Sequence, residues 1–209
     1  QNIVKEILSD REFSDKYNIS AVNSINWGRI CAQIVYYFNG YFLTTKKVGD
    51  FVDFVVPSGN FGNVLAAYIA KEMGLPIRNL CVSTNENIVL DHFFKTGIYT
   101  QKDVVVTSSP SMDISKASNI ERLFFDVLDK CPLKCVELMK TFESVSSISL
   151  EEKLSVLTKI KGFVSDSCSH KERIECIQRV YKDSSYIIDP HTAAALNFAF
   201  KKDNSNDTT

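Results

Sequence analysis

The sequence predicts an α/β protein with a mostly parallel sheet flanked by helices. The first observation is a near-continuous apolar run, "FVDFVV" at 51–56, which stops at Pro57 and is typical of a buried parallel strand. The second is that such runs alternate along the chain with segments whose apolar residues recur at helical spacing. The third is the length of 209 residues, which suffices for one large domain with its own core.

Three helices are expected before the first strand, and strands and helices alternate from there to about residue 97. The longest helix is predicted from Ile30, Ile34 and Phe38, which recur at helical spacing. The helix after the first strand is expected to end at Gly74, with Pro76 beyond it. In order, the expected elements are helices near 2–9, 11–17 and 25–44, a strand at 51–56, a helix at 63–74, a strand at 77–84 and a helix at 86–97.

Helical spacing dominates the second half of the chain, over 117–142 and 149–182. A further strand is expected at 104–109 ("VVVTSS"). The last strand is expected at 185–190 ("SYIIDP") and the last helix at 191–201 ("HTAAALNFAFK").

The chain shows no convincing linker, and its weakest joint is the Ser-, Glu- and Leu-rich stretch 142–152. We therefore expect residues 1–200 to form one domain. Residues 201–209 hold no apolar side chain and are expected to be disordered. The chain opens on Gln1 in a helix-like phase, so we expect it to come from a longer protein and the domain to be incomplete on its N-terminal side.

The composition argues against several classes of protein. A formal net charge of -1, with 23% charged and 44% hydrophobic residues, gives no sign of binding to nucleic acid or to an anionic membrane. No apolar run has the length of a membrane span, and no signal segment is recognisable. The 6 cysteines show no CxxC spacing, which favours reduced thiols in a cytoplasmic protein.

Neither the histidines nor the cysteines form a metal-binding pattern. His92 and His170 occupy ordinary helix positions, whereas His191 lies at the mouth of the last helix, where it could approach a ligand. Cys131 and Cys135, at i and i+4, are expected to pack on one face of a helix. We therefore expect no metal site.

The segment "PSGNFGN" lies where the first strand leads into a helix. In an open α/β sheet, ligands bind beyond the carboxyl ends of the strands. Gly59 and Gly62 let backbone N–H groups approach a ligand closely, and the N-terminus of the following helix favours an anion. Side-chain donors are offered by Ser58, Asn60 and Asn63. The segment therefore predicts a site for a phosphate monoester.

A tight turn with a polar cap on the following helix explains the same residues. The loop is not a Walker motif, since no Lys-Ser or Lys-Thr follows its second glycine, and the chain has no GxGxxG. From the loop alone, both the anion site and the simple turn stay open.

Four further segments accompany this loop in a fixed order. They are "AVNSINWGRICAQIVYYF" (21–38), "STNENIVLDHFFKTGIY" (83–99), "SPSMDISKASNIERLFF" (109–125) and "YIIDPHTAAAL" (186–196). Together with "PSGNFGN" they closely resemble the threonine synthase family of pyridoxal 5'-phosphate (PLP) enzymes, in its longer fungal and proteobacterial type. The resemblance spans about residues 2–197 and implies the large PLP-binding domain of a fold type II enzyme.

The resemblance implies a lyase of threonine biosynthesis that converts O-phosphohomoserine and water to threonine and phosphate. It implies that the loop cradles the PLP phosphate through Ser58, Gly59, Asn60, Phe61, Gly62 and the nearby Asn63. It also implies that Thr192 faces the pyridine nitrogen, where a neutral hydroxyl does not force the nitrogen to stay protonated.

Other matching residues have two explanations. The resemblance brings Asn23, Ser24, Asn26 and Arg29 near the active-site cleft, as candidates for contacts with substrate or cofactor. Capping of the helix that starts near Ile25 explains them equally well. The family landmarks "SPSMDI" (Ser111, Asp113) and "SNIERL" (Asn119, Arg122) are taken as structural first, because helix capping explains Asp113, Ser118 and Asn119.

The family holds PLP on a lysine as a Schiff base, in a segment of the type Ser/Ala-Phe-Lys-Asp well before "VNSIN". No lysine of this chain has that context. Lys71 lies late in its helix, on the solvent side, and Lys95 looks like a cation at a helix C-terminus. We therefore expect the Schiff-base lysine upstream of Gln1, no catalytic residue in this chain, and no activity from the chain alone.

Two other functions share these motifs. One is a threonine-synthase-like phospho-lyase, which eliminates phosphate and gives a keto acid. The other is a non-catalytic module that binds a phosphorylated metabolite. The sequence leaves the oligomeric state open.

Overall fold

The computed structural model describes residue 7, residues 10–19 and residues 23–206, which form an α/β fold. The helices are α1 Arg11–Tyr17, α2 Trp27–Thr44, α3 Gly62–Glu72, α4 Val89–Thr96, α5 Ile120–Val127, α6 Pro132–Val145, α7 His170–Ser184 and α8 Pro190–Asn206. The strands are β1 Val52–Pro57, β2 Ile77–Thr84, β3 Ile98–Thr100, β4 Ser147–Ser149 and β5 Phe163–Ser167. Turns of 310-helix at Pro110–Met112 and Glu151–Lys153 and a π-helical turn at Val156–Ile160 lie between them.

Three of the strands form a parallel sheet in the order β1-β2-β5. Cys81 of β2 pairs with Val55 of β1 on one side and with Val164 of β5 on the other. β2 is buried over most of its length, because it has a strand on each side and α3, α4 and α8 pack against it. β3 and β4 form a separate antiparallel pair. The predicted fold class, a mostly parallel sheet flanked by helices, is confirmed.

The core lies between the sheet and the helices that cover it. Its aromatic centre consists of Phe61, Phe93, Phe94, Phe124 and Phe163, each of them at most 3% exposed. The rings of Phe94 and Phe163 stack with their centroids 4.7 Å apart, which joins α4 to β5. Because Phe61 belongs to the loop after β1, this cluster anchors that loop directly to the core.

Most of the predicted elements agree with the structure. The helix predicted at 11–17 and the strand predicted at 77–84 coincide with α1 and β2. The helices predicted at 25–44 and 63–74 correspond to α2 and α3, with bounds shifted by one or two residues. The helix predicted near 2–9 lies outside the described residues, except for residue 7.

The strand predicted at 104–109 is wrong, since this segment has no regular secondary structure. A side chain takes the place of a neighbouring strand: Asn87 Oδ1 accepts from the Val105 N–H at 2.8 Å, and Asn87 Nδ2 donates to the Val105 carbonyl at 2.9 Å. The N–H of Thr107 likewise donates to Asp113 Oδ2 at 2.9 Å. These side chains satisfy the backbone, so the segment is stable as a loop.

The final strand predicted at 185–190 is also wrong. Tyr186 and Ile187 lie in an irregular loop and are 68% and 73% exposed. The third strand of the sheet is β5, inside the segment 149–182 that was predicted to be helical. Only Phe163 and Val164 are apolar in this strand, so no strand pattern marks it in the sequence, and pairing with β2 decides its conformation.

The stretch 142–152 is tied into the fold. It contains β4, and the Leu150 N–H donates to the Gly97 carbonyl at 2.8 Å. α8 continues to Asn206, so residues 201–206 are helical where a disordered tail was predicted; residues 207–209 lie outside the described residues. Within the described ranges, no helix combines the length and the apolar character needed to cross a membrane.

Candidate functional site

The loop predicted to bind a phosphate lies at the carboxyl end of β1, where the chain enters α3. Ser58 is 5% exposed, and its N–H donates to the Ser83 carbonyl at 2.9 Å, which fixes the loop to the end of β2. Because β1 and β2 are parallel, both strands end at this edge of the sheet. The loop therefore lies where open α/β sheets bind ligands.

Phe61 turns the chain from the loop into α3. Its backbone has φ 63° and ψ 0°, a left-handed conformation that is rare for a bulky residue. The ring is 1% exposed, and its centroid lies 6.0 Å from those of Phe94 and Phe163, so packing offsets the strain. The buried ring thus fixes the position of the first turn of α3.

The N-terminus of α3 has no side-chain cap. Over the part of the chain that the structure describes, the N–H groups of Gly59, Asn60 and Gly62 have no hydrogen-bond acceptor. Unpaired N–H groups and the positive end of a helix dipole favour an anion. The backbone of this loop therefore fits a phosphate group.

The 310 turn at Pro110–Met112 closes over the loop. A Cβ atom on Gly59 would lie 2.6 Å from the Ser111 carbonyl oxygen and 3.1 Å from Met112 Cα. Real side chains do not tolerate such a contact with backbone, so glycine is needed at this position for the turn to approach.

Asn119 joins the loop to the segment before α2. It is fully buried, and its Nδ2 donates to the carbonyl oxygens of Asn60 and Ser24, each at 3.0 Å. Its backbone N–H also donates to the Asn60 carbonyl, at 3.1 Å. Asn119 occupies the N-cap position of α5, as predicted, but its side chain makes no capping hydrogen bond to that helix.

Asp113 and Ser118 also bind loops instead of capping helices. Asp113 Oδ1 accepts hydrogen bonds from Thr107 Oγ1 and Asn85 Nδ2, both at 2.7 Å. Burial alone would raise the pKa of Asp113, but hydrogen bonds from Thr107 and Asn85 hold it below its ordinary value. Ser118 Oγ donates to Asn60 Oδ1 at 3.2 Å. Both residues thus shape the surroundings of the phosphate loop.

The segment "NSINW" lies beside the loop, because Ser24 is held by Asn119. Asn26 is the N-cap of α2, and its Oδ1 accepts from the N–H two residues later at 2.8 Å. Asn23 Oδ1 accepts in the same way at 3.0 Å. The capping explanation is thus confirmed for Asn26. Arg29 lies exposed in the first turn of α2.

Asn63 binds α2. Tyr37 Oη donates to its Oδ1 at 2.6 Å, and its Nδ2 donates to Gln33 Oε1 at 2.9 Å. The side chain predicted to be a donor for a phosphate therefore links α2 to α3.

Thr192 lies exposed in the first turn of α8. Its hydroxyl donates to Asp189 Oδ2, while Asp189 Oδ1 accepts from the His191 N–H at 2.8 Å. Hydrogen bonds from Thr192 and His191 hold the pKa of Asp189 at about 2, well below its ordinary value. Asp189 is therefore ionised at neutral pH and fixes the direction of the Thr192 hydroxyl.

His191 connects the start of α8 with the turn over the loop. Its Nδ1 lies 2.9 Å from Asp189 Oδ1, and its Nε2 accepts from the Ser111 N–H at 3.2 Å. Through Ser111, the structure brings the start of α8 to the turn that packs on Gly59.

The sequence of the chain is similar to those of known proteins. The chain is 48% identical over 206 residues to the threonine synthase of Methylobacillus glycogenes, over 96% of this chain and 43% of the relative. It is 44% identical to the threonine synthase of Saccharomyces cerevisiae, over 94% of this chain and 41% of the relative. No profile of a protein family matches the chain.

Solved structures of threonine synthases also match the fold of this chain. A PLP-bound threonine synthase from Brucella melitensis matches with a TM-score of 0.91 at 38% identity, over 97% of this chain and 43% of that one. The yeast threonine synthase matches with a TM-score of 0.86 at 40% identity, over 96% of this chain and 42% of that one. Over its matched length, this chain is similar to the threonine synthases in both sequence and fold. It spans less than half the length of these relatives.

Two lysines of the chain were considered for the site, and both have other contacts. Lys71 Nζ donates to the carbonyl oxygens of Arg78 at 3.0 Å and Lys161 at 2.9 Å. It is half-buried, so its predicted solvent-side position is wrong. At 1.5 Å per residue it lies about 14 Å along α3 from Gly62. Lys95, as predicted, is a cation in the last turn of α4.

The cysteines of the chain are free thiols. Cys135 is buried in α6, with its sulfur 4.0 Å from the Glu121 carbonyl, while Cys131 precedes the helix. The described part of the chain contains no group of three or more His, Cys, Asp or Glu side chains that could hold a metal ion.

Asp189 was absent from the predicted site, although a signal for it exists. An Asp directly before a Pro that opens a helix is a usual N-cap. The contacts of Ser111 with His191 and of Asn119 with Asn60 have no local signal, since their partners are 80 and 59 positions apart.

Proposed function

We propose that this chain is the part of a PLP-dependent threonine synthase that binds the phosphate of PLP. The observation that carries the proposal is the loop 58–62, whose backbone N–H groups at an uncapped helix N-terminus fit a phosphate. The PLP-bound relative from Brucella melitensis supports PLP as the ligand. When bound, PLP supplies an electron sink for carbanions of amino acids.

The loop binds the phosphate through backbone N–H groups, with side-chain donors from Ser58 and Asn60. The backbone groups we assign to this role belong to Gly59, Asn60, Phe61, Gly62 and Asn63. The side chain of Asn63 takes no part, because both ends of its amide bind α2. The buried ring of Phe61 and the contacts of Asn119 hold the loop in place before the ligand arrives.

Thr192 faces the pyridine nitrogen of PLP. Because its hydroxyl donates a hydrogen bond to Asp189, it would face the ring with its lone pairs and would accept a hydrogen bond from a protonated nitrogen. The negative charge of the ionised Asp189, which lies one hydrogen bond behind Thr192, favours the protonated form of the pyridine nitrogen. This arrangement gives a stronger electron sink than a neutral hydroxyl alone.

The substrates are O-phosphohomoserine and water, and the products are threonine and phosphate, as the similarity to threonine synthases supports. Contacts with the substrate come from the segment beside the loop, namely Asn23, Ser24, Asn26 and Arg29. Since Asn23 and Asn26 use their Oδ1 atoms in turns, they donate through Nδ2. Arg29 supplies a positive charge suited to a carboxylate or phosphate.

The 209-residue chain alone does not turn over substrate. The resemblance implies that the lysine that holds PLP lies before Asn23, in a Ser/Ala-Phe-Lys-Asp segment. Lys71 and Lys95 have neither this context nor free ammonium groups, because Lys71 binds two carbonyls and Lys95 pairs with Asp91. The free cysteines support the expected location in a reducing compartment such as the cytoplasm.

The test uses the full-length protein that contains this chain. It is incubated with PLP and O-phosphohomoserine, phosphate release is followed and the organic product is identified. Threonine supports the proposal. A keto acid assigns a phospho-lyase, and PLP binding without phosphate release assigns a non-catalytic module. If the protein neither binds PLP nor releases phosphate, all three functions are overturned. Turnover by the 209-residue chain alone contradicts its proposed inactivity.

A further inference from the structure

A series of contacts joins the start of α8 to the phosphate loop. Asp189 Oδ1 lies 2.9 Å from His191 Nδ1, and His191 Nε2 accepts from the Ser111 N–H at 3.2 Å. The carbonyl oxygen of the same Ser111 lies 2.6 Å from the position of a Cβ atom on Gly59. Two segments that are 80 positions apart therefore meet at the edge of the loop.

These hydrogen bonds define one tautomer of His191. An ionised Asp189 is an acceptor only, so His191 Nδ1 carries the proton that it accepts. His191 Nε2 then has a lone pair, which faces the Ser111 N–H. A neutral imidazole with its proton on Nδ1 satisfies both contacts at once.

Besides the contact of Ser111 with His191, the turn packs on α8 through Met112, which is buried in a cluster with Ala194 and Cys168. Its internal bonds run from the Met112 N–H to the Ser109 carbonyl at 2.9 Å and from the Asp113 N–H to the Pro110 carbonyl at 3.1 Å. These bonds set the shape of the turn. The contact with His191 restrains where the turn lies.

We propose that His191, oriented by Asp189, is a positioning residue that holds the turn at Pro110–Met112 against the phosphate loop. This role rests on the proposed PLP site and adds a residue that need not touch the cofactor. Gly59 makes the close approach possible, and His191 maintains it. If the turn moves away, water reaches the N–H groups of the loop and competes with the phosphate.

Three variants of the full-length protein separate this role from a general loss of stability. His191→Gln keeps an oxygen near the position of Nε2 that accepts the Ser111 N–H. His191→Asn keeps a group near the position of Nδ1 only, and His191→Ala removes both. The control is Tyr186→Phe, in the loop before α8, where the side chain is 68% exposed.

The readouts are amide hydrogen exchange over residues 109–114, the Kd for PLP, and the midpoint of thermal unfolding. We expect faster exchange at Ser111 and about fivefold weaker PLP binding in the Asn and Ala variants, as for the loss of one hydrogen bond. The Gln variant and the control are expected to match the wild type. A general loss of stability would instead lower the midpoint of thermal unfolding and speed exchange throughout the chain, with no particular effect on residues 109–114.

Unchanged exchange at Ser111 in His191→Asn would overturn the proposal. So would a loss of PLP affinity in His191→Gln equal to that in His191→Ala. If the wild-type protein does not bind PLP, the proposed function fails, and the exchange of the Ser111 amide still decides whether His191 holds the turn.

Discussion

Asn119 Nδ2 lies 3.0 Å from the carbonyl oxygen of Asn60, although the two residues are 59 positions apart in the chain. The same Nδ2 also donates to the Ser24 carbonyl. One buried side chain thus holds together the three segments that meet at the candidate site: the segment before α2, the loop after β1 and the start of α5.

Replacing Asn119 by Ala is expected to lower the free energy of unfolding by about 1–3 kcal/mol, because two carbonyl oxygens lose a donor in a buried place. PLP binding is expected to weaken as well, since the Asn60 carbonyl then keeps only the hydrogen bond from the backbone N–H at position 119 and the tie to the Ser24 carbonyl is lost. Chemical denaturation and a PLP titration measure the two effects. Asn39→Ala, on the exposed face of α2, is the matched control. Equal losses in both variants would contradict the role assigned to Asn119.

Gly59→Ala is expected to displace the turn at Pro110–Met112, because the new Cβ would lie 2.6 Å from the Ser111 carbonyl. The expected cost is about 1–3 kcal/mol of stability and at least about tenfold in the Kd for PLP. In Gly40→Ala the Cβ meets only Phe54, at 3.5 Å. This control is expected to stabilise α2 by up to about 1 kcal/mol. Urea denaturation measures the stability of both variants, and a PLP titration measures the Kd. A Gly59→Ala variant as stable as the wild type would contradict the prediction.

Phe61→Ala is expected to lower the free energy of unfolding by about 3–5 kcal/mol, since it leaves a cavity between Phe94 and Phe163. The strained backbone would then lack the packing that offsets it. Phe125→Ala, at a ring that is 37% exposed, is expected to cost much less. Thermal and chemical unfolding measure both variants, and similar costs would show that the loop is not anchored by Phe61.

Acid is expected to destabilise the fold partly through Asp53, at the start of β1. Burial alone would raise the pKa of Asp53, but hydrogen bonds from Arg78 and Lys202 hold it at about 2. A carboxyl whose pKa is lower in the folded state stabilises the fold above its unfolded pKa of about 4. That contribution is lost as the pH falls towards the folded value.

In Asp53→Asn, the free energy of unfolding is expected to be lower at pH 7 and to change less between about pH 4 and pH 2 than in the wild type. Asp50→Asn removes an exposed carboxylate nearby and controls for net charge. Denaturant titrations at a series of pH values measure the slopes. Parallel slopes for wild type and Asp53→Asn would disprove the assignment.

The sequence predicts those parts of the fold whose signals are local. β2 is found because the apolar residues Leu80, Cys81 and Val82 follow the break at Pro76, whereas β5 is missed because only Phe163 and Val164 are apolar in it. The three valines at 104–106 are misleading, since the side chain of Asn87 occupies the position of a neighbouring strand.

The same division applies to the site. The phosphate loop carries its own signal, in its glycines and in its place between a strand and a helix. The roles of Asn119 and His191 depend on partners from distant segments, which no local pattern reveals. Thr192 is assigned to the site from the resemblance, but its hydroxyl donates a hydrogen bond to Asp189, a contact that the sequence prediction did not include.

The position of β5 beside β2 also bears on how the protein folds. β1, α3 and β2 are neighbours in sequence and can associate early, but residues 85–162 must be arranged before β5 reaches β2. Closing so long a loop costs chain entropy before the pairing stabilises it, so we expect a slow last step in refolding. Until then the edge of β2 is open to strands of other molecules. Refolding yields should therefore fall as the protein concentration rises.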